Sequence, residues 1–128
     1  MSQATARKRP KHLALHQIRQ PLPAIISILH RVSGAGLFLC LPLLLWLFDR
    51  SLGSATAFDA YREVVGNPLV KLVLFGLLWA YLHHFCAGIR FLLLDVHVGD
   101  DLQPGRRSAM AVLVVSLLLT IVIGVALW

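Results

Sequence analysis

Three long apolar runs, separated by short polar ones, set the pattern of the chain. They extend over about Ile25 to Phe48, Leu69 to Leu94 and Ala109 to Trp128. A helix needs about 20 apolar residues to cross the hydrocarbon of a bilayer, and each run is long enough. The first is entered through Pro21 and Pro23 and closed by Asp49 and Arg50. Prolines are tolerated there because the first helical turn has N–H groups without intrahelical partners. Residues 49–66 form a polar connection whose middle suits a short surface helix. Asn67-Pro68 reads as the next helix start, with Asn67 as cap. The connection after Asp95 (residues 96–107) carries Gly99, Pro104 and Gly105 as breakers. The pattern predicts an all-α membrane protein with three transmembrane helices, made of a tail over residues 1–20 and a membrane domain over residues 21–128.

Composition supports that reading. Of 128 residues, 58% are hydrophobic and 14% charged, against about 45–50% and about 25% in soluble domains. A small domain buries only about 60–70% of its surface on folding, so the excess faces lipid. The net charge is +6, from 12 Lys+Arg and 6 Asp+Glu. Arg7, Lys8, Arg9, Lys11 and Arg19 cluster in the tail, and the other cations lie mainly around the ends of the apolar runs. That layout is a topology signal, not the basic face of a nucleic-acid binder. The tail lacks the short apolar stretch and cleavage site of a signal peptide. Its lack of acids leaves a mitochondrial presequence as the less favoured alternative to a cytoplasmic tail. Three crossings place the tail, Arg90, Arg106 and Arg107 on one side, and Arg50, Arg62 and Lys71 with three acids on the other. The N-terminus is therefore expected in the cytoplasm and the C-terminus outside. Cys40 and Cys86 lie within apolar runs and read as packing thiols, with no disulfide or zinc spacing.

Polar groups at membrane depth are costly and point to a partner or a function. The third run has almost none. In the first, Ser27, His30, Arg31 and Gly34 fall at i, i+3, i+4 and i+7 and share one helix face. In the second, His84, Gly88, Phe91 and Asp95 fall at i, i+4, i+7 and i+11. At 1.5 Å per residue His84 lies about 16 Å from Asp95 along the axis, roughly half the hydrocarbon thickness. A buried imidazole with a glycine one turn away suits an axial haem ligand, and Arg31 and Arg90 are cations placed to meet propionates. The same residues have structural readings. A histidine in a bundle also serves as an interhelical hydrogen-bonding group, arginines snorkel, Ser27 can bond back to its own helix, and Gly34, Gly36 and Gly88 fit close helix contacts. The adjacent His83 is turned about 100° away, toward a partner or lipid. His12, His16 and His97 lie outside the membrane core.

The run Ser27-Ile28-Leu29-His30-Arg31-Val32-Ser33-Gly34 resembles the signature of succinate dehydrogenase cytochrome b subunits. So does His84 four residues before Gly88-Ile89-Arg90, with Asp95 five residues after the arginine. Gly105-Arg106-Arg107-Ser108-Ala109 and the aliphatic third run are also similar to this family, and the likeness extends from about Arg9 to Trp128. The resemblance implies half of a heterodimeric helix bundle: a bacterial inner-membrane anchor subunit paired with a second small membrane subunit and docked to an iron–sulfur subunit and a flavoprotein. It implies His84 as one axial ligand of haem b, the partner supplying the other, with His30 and Arg31 by the propionates. Ser27 and Arg31 would line a ubiquinone pocket, where a hydroxyl and a guanidinium suit an oxygen that gains negative charge on reduction. Arg90 and Asp95 are supporting candidates, Asp95 for structural pairing ahead of proton delivery. Many relatives carry histidine where this chain has Phe91, so that propionate contact is absent. The alternatives are the anchor of a fumarate reductase, a membrane scaffold without cofactor, and a haem-only electron carrier. Two cysteines are too few for iron–sulfur clusters, so the chain is not expected to oxidise succinate alone.

Overall fold

The computed structural model describes residues 17–128; Arg7, Lys8, Arg9, Lys11, His12 and His16 of the basic tail lie outside them. The described chain is helical, in the order α1 (Leu22–Leu52), α2 (Ala55–Gly66), α3 (Pro68–Asp95) and α4 (Leu102–Leu127). The helices α1, α3 and α4 are long and apolar enough to cross a membrane. At 31, 28 and 26 residues they rise about 46, 42 and 39 Å, so each outruns a hydrocarbon core of about 30 Å. Apolar surface is turned outward: Phe38, Leu39, Leu92, Leu118, Val122 and Val125 are exposed, whereas the buried apolar core is only Ile26, Leu47, Leu82, Ala87, Ala109 and Val112. This is the arrangement that lipid requires and water forbids.

The termini of the helices follow local chemistry. Pro21 caps α1 and Pro23 sits in its first turn, where no intrahelical N–H is lost. Pro42 lies inside α1. The expected surface helix occupies nearly the whole first connection as α2, started by Ser54, whose hydroxyl accepts from the Ala57 N–H at 3.3 Å. Asn67 caps α3 as expected, its side-chain oxygen accepting from the Leu69 N–H at 2.9 Å. The second connection is shorter than its breakers suggest, because α4 begins at Leu102 and runs through Pro104 and Gly105. Pro104 is the third helical residue, still within the turn whose N–H groups have no partner. The reversal itself is made by His97 and Gly99, with φ of 59° and 77°.

In this arrangement α3 packs between α1 and α4 and antiparallel to both. Ile26 of α1, Ala87 of α3 and Ala109 and Val112 of α4 form the buried cluster at one end of the bundle, where small side chains let the helices approach closely. At the other end Phe75 lies against Gly124: a Cβ on Gly124 would overlap the phenyl ring. Ser116 and Thr120, buried on the inner face of α4, donate back to Leu113 and Ser116 carbonyls at 3.1 and 2.6 Å. Their hydroxyls are thus satisfied without a partner helix.

Candidate functional site

The polar residues singled out on α1 and α3 meet across that helix pair. The imidazole rings of His30 and His84 stack with centroids 4.1 Å apart and planes 10° off parallel. His84 is anchored from below: its Nδ1 lies 2.9 Å from the backbone carbonyl of His30 and 3.3 Å from the Ser33 hydroxyl. A carbonyl only accepts, so Nδ1 carries the proton and donates it to His30. The Ser33 hydroxyl donates to the same carbonyl at 3.0 Å. The tautomer leaves the Nε2 lone pair unprotonated. Among the described residues Nε2 makes no hydrogen bond and is not one of the buried, unpartnered atoms, so it reaches the surface of the described bundle.

Glycines make this contact possible. The backbone of α1 runs so close beneath the imidazole that a Cβ on Gly34 would stand 2.7 Å from Cε1 and 3.2 Å from Nδ1 of His84. On α3, Gly88 faces His30, with its Cβ direction 3.8 Å from Nε2 of that ring. Gly36, two residues beyond Gly34, faces open space. Phe91 packs against His30 with ring centroids 5.1 Å apart.

Ser27 is half-buried and Arg31 exposed, one turn apart on the same side of α1. Neither side chain makes a hydrogen bond or ion pair among the described residues. Asp95 is exposed at the end of α3; in the following loop His97 Nδ1 lies 3.1 Å from the Asp100 carboxylate, and Asp95 has no ion pair among the described residues.

Arg90 is directed elsewhere than the histidine pair. It is only 6% exposed and reaches across to α4, its Nε donating to the Ser108 hydroxyl at 2.9 Å and its Nη2 to the Gly105 carbonyl at 3.2 Å. Ser108 donates to that carbonyl too, at 3.1 Å. The guanidinium also sits 5.5 Å from the Phe91 ring. It joins α3 to α4 at the end where the helices turn.

His83 requires a correction. Its helical position predicts a ring facing a partner or lipid, yet its relative exposure is 0%. It shares with Ala87 and Arg90, at i, i+4 and i+7, the face of α3 that is turned into the three-helix interior. Its ring lies 5.3 Å from that of Trp79, and no ligand can reach either nitrogen. Cys40 and Cys86 are free and partly buried, Cys86 against the core cluster. Sequence reasoning passes over two parts of the site, the backbone carbonyl of His30 and the Ser33 hydroxyl. The second carries a signal, as one more polar residue in the run that begins at Ser27.

No group of three or more His, Cys, Asp or Glu residues suited to a bare metal ion occurs among the described residues. The family model described as succinate dehydrogenase/fumarate reductase transmembrane subunit matches residues 5–123. A succinate dehydrogenase cytochrome b556 subunit from Coxiella burnetii is 40% identical over 122 residues, covering 94% of this chain and 98% of the relative. The protein of that name from Paracoccus denitrificans is 31% identical over 121 residues, covering 94% and 93%, and that from Rickettsia felis is 29% identical over 120 residues, covering 92% of each.

Proposed function

The chain belongs to the succinate dehydrogenase/fumarate reductase transmembrane-subunit family, and from that footing we propose that it is the anchor that binds haem b through His84 and contributes Ser27 and Arg31 to a ubiquinone-reduction site. As a subunit of succinate dehydrogenase it takes part in an enzyme without being catalytic alone. The observation that carries the haem reading is the Nδ1–H bond from His84 to the His30 carbonyl. A metal-ligating histidine is usually held in this way, the hydrogen bond fixing the tautomer and raising the basicity of the other nitrogen. When bound, haem b supplies a one-electron redox centre within the membrane.

The remaining residues act by position. Arg31 holds a full positive charge at the membrane surface and stabilises a quinone oxygen as it gains electron density, more strongly there than in water. The Ser27 hydroxyl, one turn away, donates to the same headgroup. His30 and Arg31 meet the propionates. Asp95 is placed to pair with a docked subunit. The second haem ligand comes from another small membrane subunit, while the iron–sulfur and flavoprotein subunits dock on the cytoplasmic face of a bacterial inner membrane.

The test is a dithionite-reduced minus oxidised spectrum of the gently solubilised, co-purified complex. A b-type haem band that also develops with succinate is expected, and its loss in His84→Ala. An unchanged low-spin band in that variant would remove His84 as ligand. Ser27→Ala and Arg31→Ala are expected to slow quinone reduction at least tenfold while succinate oxidation by a soluble dye persists. Equal loss of both activities would point instead to failed assembly, and quinone reduction at the unaltered rate would refute the quinone-site role.

A further inference from the structure

We propose that Gly34 is a positioning residue for His84: by presenting bare backbone it lets the imidazole settle onto α1, with Nδ1–H on the His30 carbonyl and Nε2 facing outward for the iron. The proposal rests on the haem reading above and adds the element that sets the strength of the ligand. Three observations converge on it. The gap between the α1 backbone and the His84 ring leaves no room for a Cβ at Gly34, since the nearest ring atom would be 2.7 Å away. The bond that this close approach permits is short and unambiguous in direction, Nδ1–H to a carbonyl at 2.9 Å. The carbonyl is shared, because the Ser33 hydroxyl also donates to it at 3.0 Å. The imidazole of His30 is stacked on the same ring, so the ring cannot move off α1 without disturbing that contact.

The consequences have opposite signs at neighbouring positions. A methyl group at Gly34 pushes the ring outward and lengthens the bond to the His30 carbonyl. Nε2 then becomes less basic, the ferric iron is less stabilised, and the haem potential rises. Removing the Ser33 hydroxyl takes a competing donor from the carbonyl, strengthens the His84 bond, and lowers the potential. Gly36 has nothing within 4 Å of its Cβ direction, so a methyl there changes neither.

The experiment is a redox titration of the haem in the purified complex, with the low-spin electron paramagnetic resonance signal recorded alongside, for Gly34→Ala, Ser33→Ala and Gly36→Ala. Expected for Gly34→Ala is an upward shift equivalent to up to tenfold in the oxidised-to-reduced ratio, about 59 mV for one electron, together with altered g-values. A smaller downward shift is expected for Ser33→Ala and none for Gly36→Ala. Gly34→Ala with the potential and g-values of Gly36→Ala would overturn the proposal. Should Gly34→Ala fail to assemble, Ser33→Ala decides: a downward shift supports the shared-carbonyl seat, and an unchanged or raised potential overturns it. His84→Ala separates the two levels. Loss of its low-spin haem with an unmoved Gly34→Ala removes only the role of Gly34, whereas a retained low-spin signal removes the haem reading itself.

Discussion

One step along α3 turns the helix by 100°, and that step divides His84, with a free nitrogen at the bundle surface, from His83, enclosed against Trp79. Neither ring nitrogen of His83 has a hydrogen-bond partner among the described residues, and a buried polar group in that state costs about 1–3 kcal/mol. His83→Phe, which keeps the ring and removes both nitrogens, is therefore expected to leave the low-spin haem spectrum unchanged and to match or raise the thermal midpoint of the complex in detergent. A lost haem band would mean that His83 reaches the iron. Residue types and helical spacing make Ser27, His30, Arg31 and His84 legible in the sequence, because an ionisable side chain at membrane depth stands out against leucines. The orientation of His83 is not legible there, since in lipid both faces of α3 are apolar and the sequence pattern does not say which one a neighbouring helix covers. Nor is the His30 carbonyl, a group that every residue carries.

Single contacts also decide how α3 and α4 are joined. At one end Arg90 grips Ser108 and Gly105; at the other Phe75 lies over Gly124. Ser108→Ala removes one hydrogen bond to a charged group, and a loss of about 1.5 kcal/mol is expected, with measured interhelical bonds in membranes averaging closer to about 0.6. Gly124→Ala overpacks the far end, where typical costs are about 1–3 kcal/mol, while Gly76→Ala, in open space on the same helix as Phe75, is expected to be neutral or slightly stabilising. Unfolding the complex in detergent with increasing denaturant would rank the three, and a Gly124→Ala midpoint no lower than that of Gly76→Ala would refute the contact. The elements themselves are legible to within a turn or so, except at the start of α4. Pro104 and Gly105 read as breakers, yet a proline in a first turn gives up no helical hydrogen bond, and the Gly105 carbonyl is recruited by Arg90 and Ser108. Pairwise geometry of that kind does not show in a one-dimensional pattern.

Over the whole molecule the charges divide unevenly between the two ends of the bundle. Arg19, Arg31, Arg90, Arg106 and Arg107 gather where α1 starts and α3 turns into α4, while Arg50, Arg62 and Lys71 lie toward α2. The orientation rule counts lysine and arginine near helix ends and gives acids little weight, so the first end is expected on the cytoplasmic side and α2 at the periplasmic surface. That orientation would put Ser27 and Arg31 on the side proposed for the docked catalytic subunits, and Nε2 of His84 lies on an outer face that the described residues do not cover. The other imidazole on that face, His30, is stacked on His84, which is why the proposed haem site takes its second ligand from another chain. The orientation is testable in intact cells, with Cys40 and Cys86 replaced by serine. Thr56→Cys, on α2, is expected to react with a membrane-impermeant maleimide added outside once the outer membrane is permeabilised. Gln103→Cys, at the start of α4, is expected to react only after the inner membrane is opened. The reverse labelling order would invert the protein in the bilayer, move Ser27 and Arg31 away from the electron donor, and remove the proposed quinone site along with the orientation.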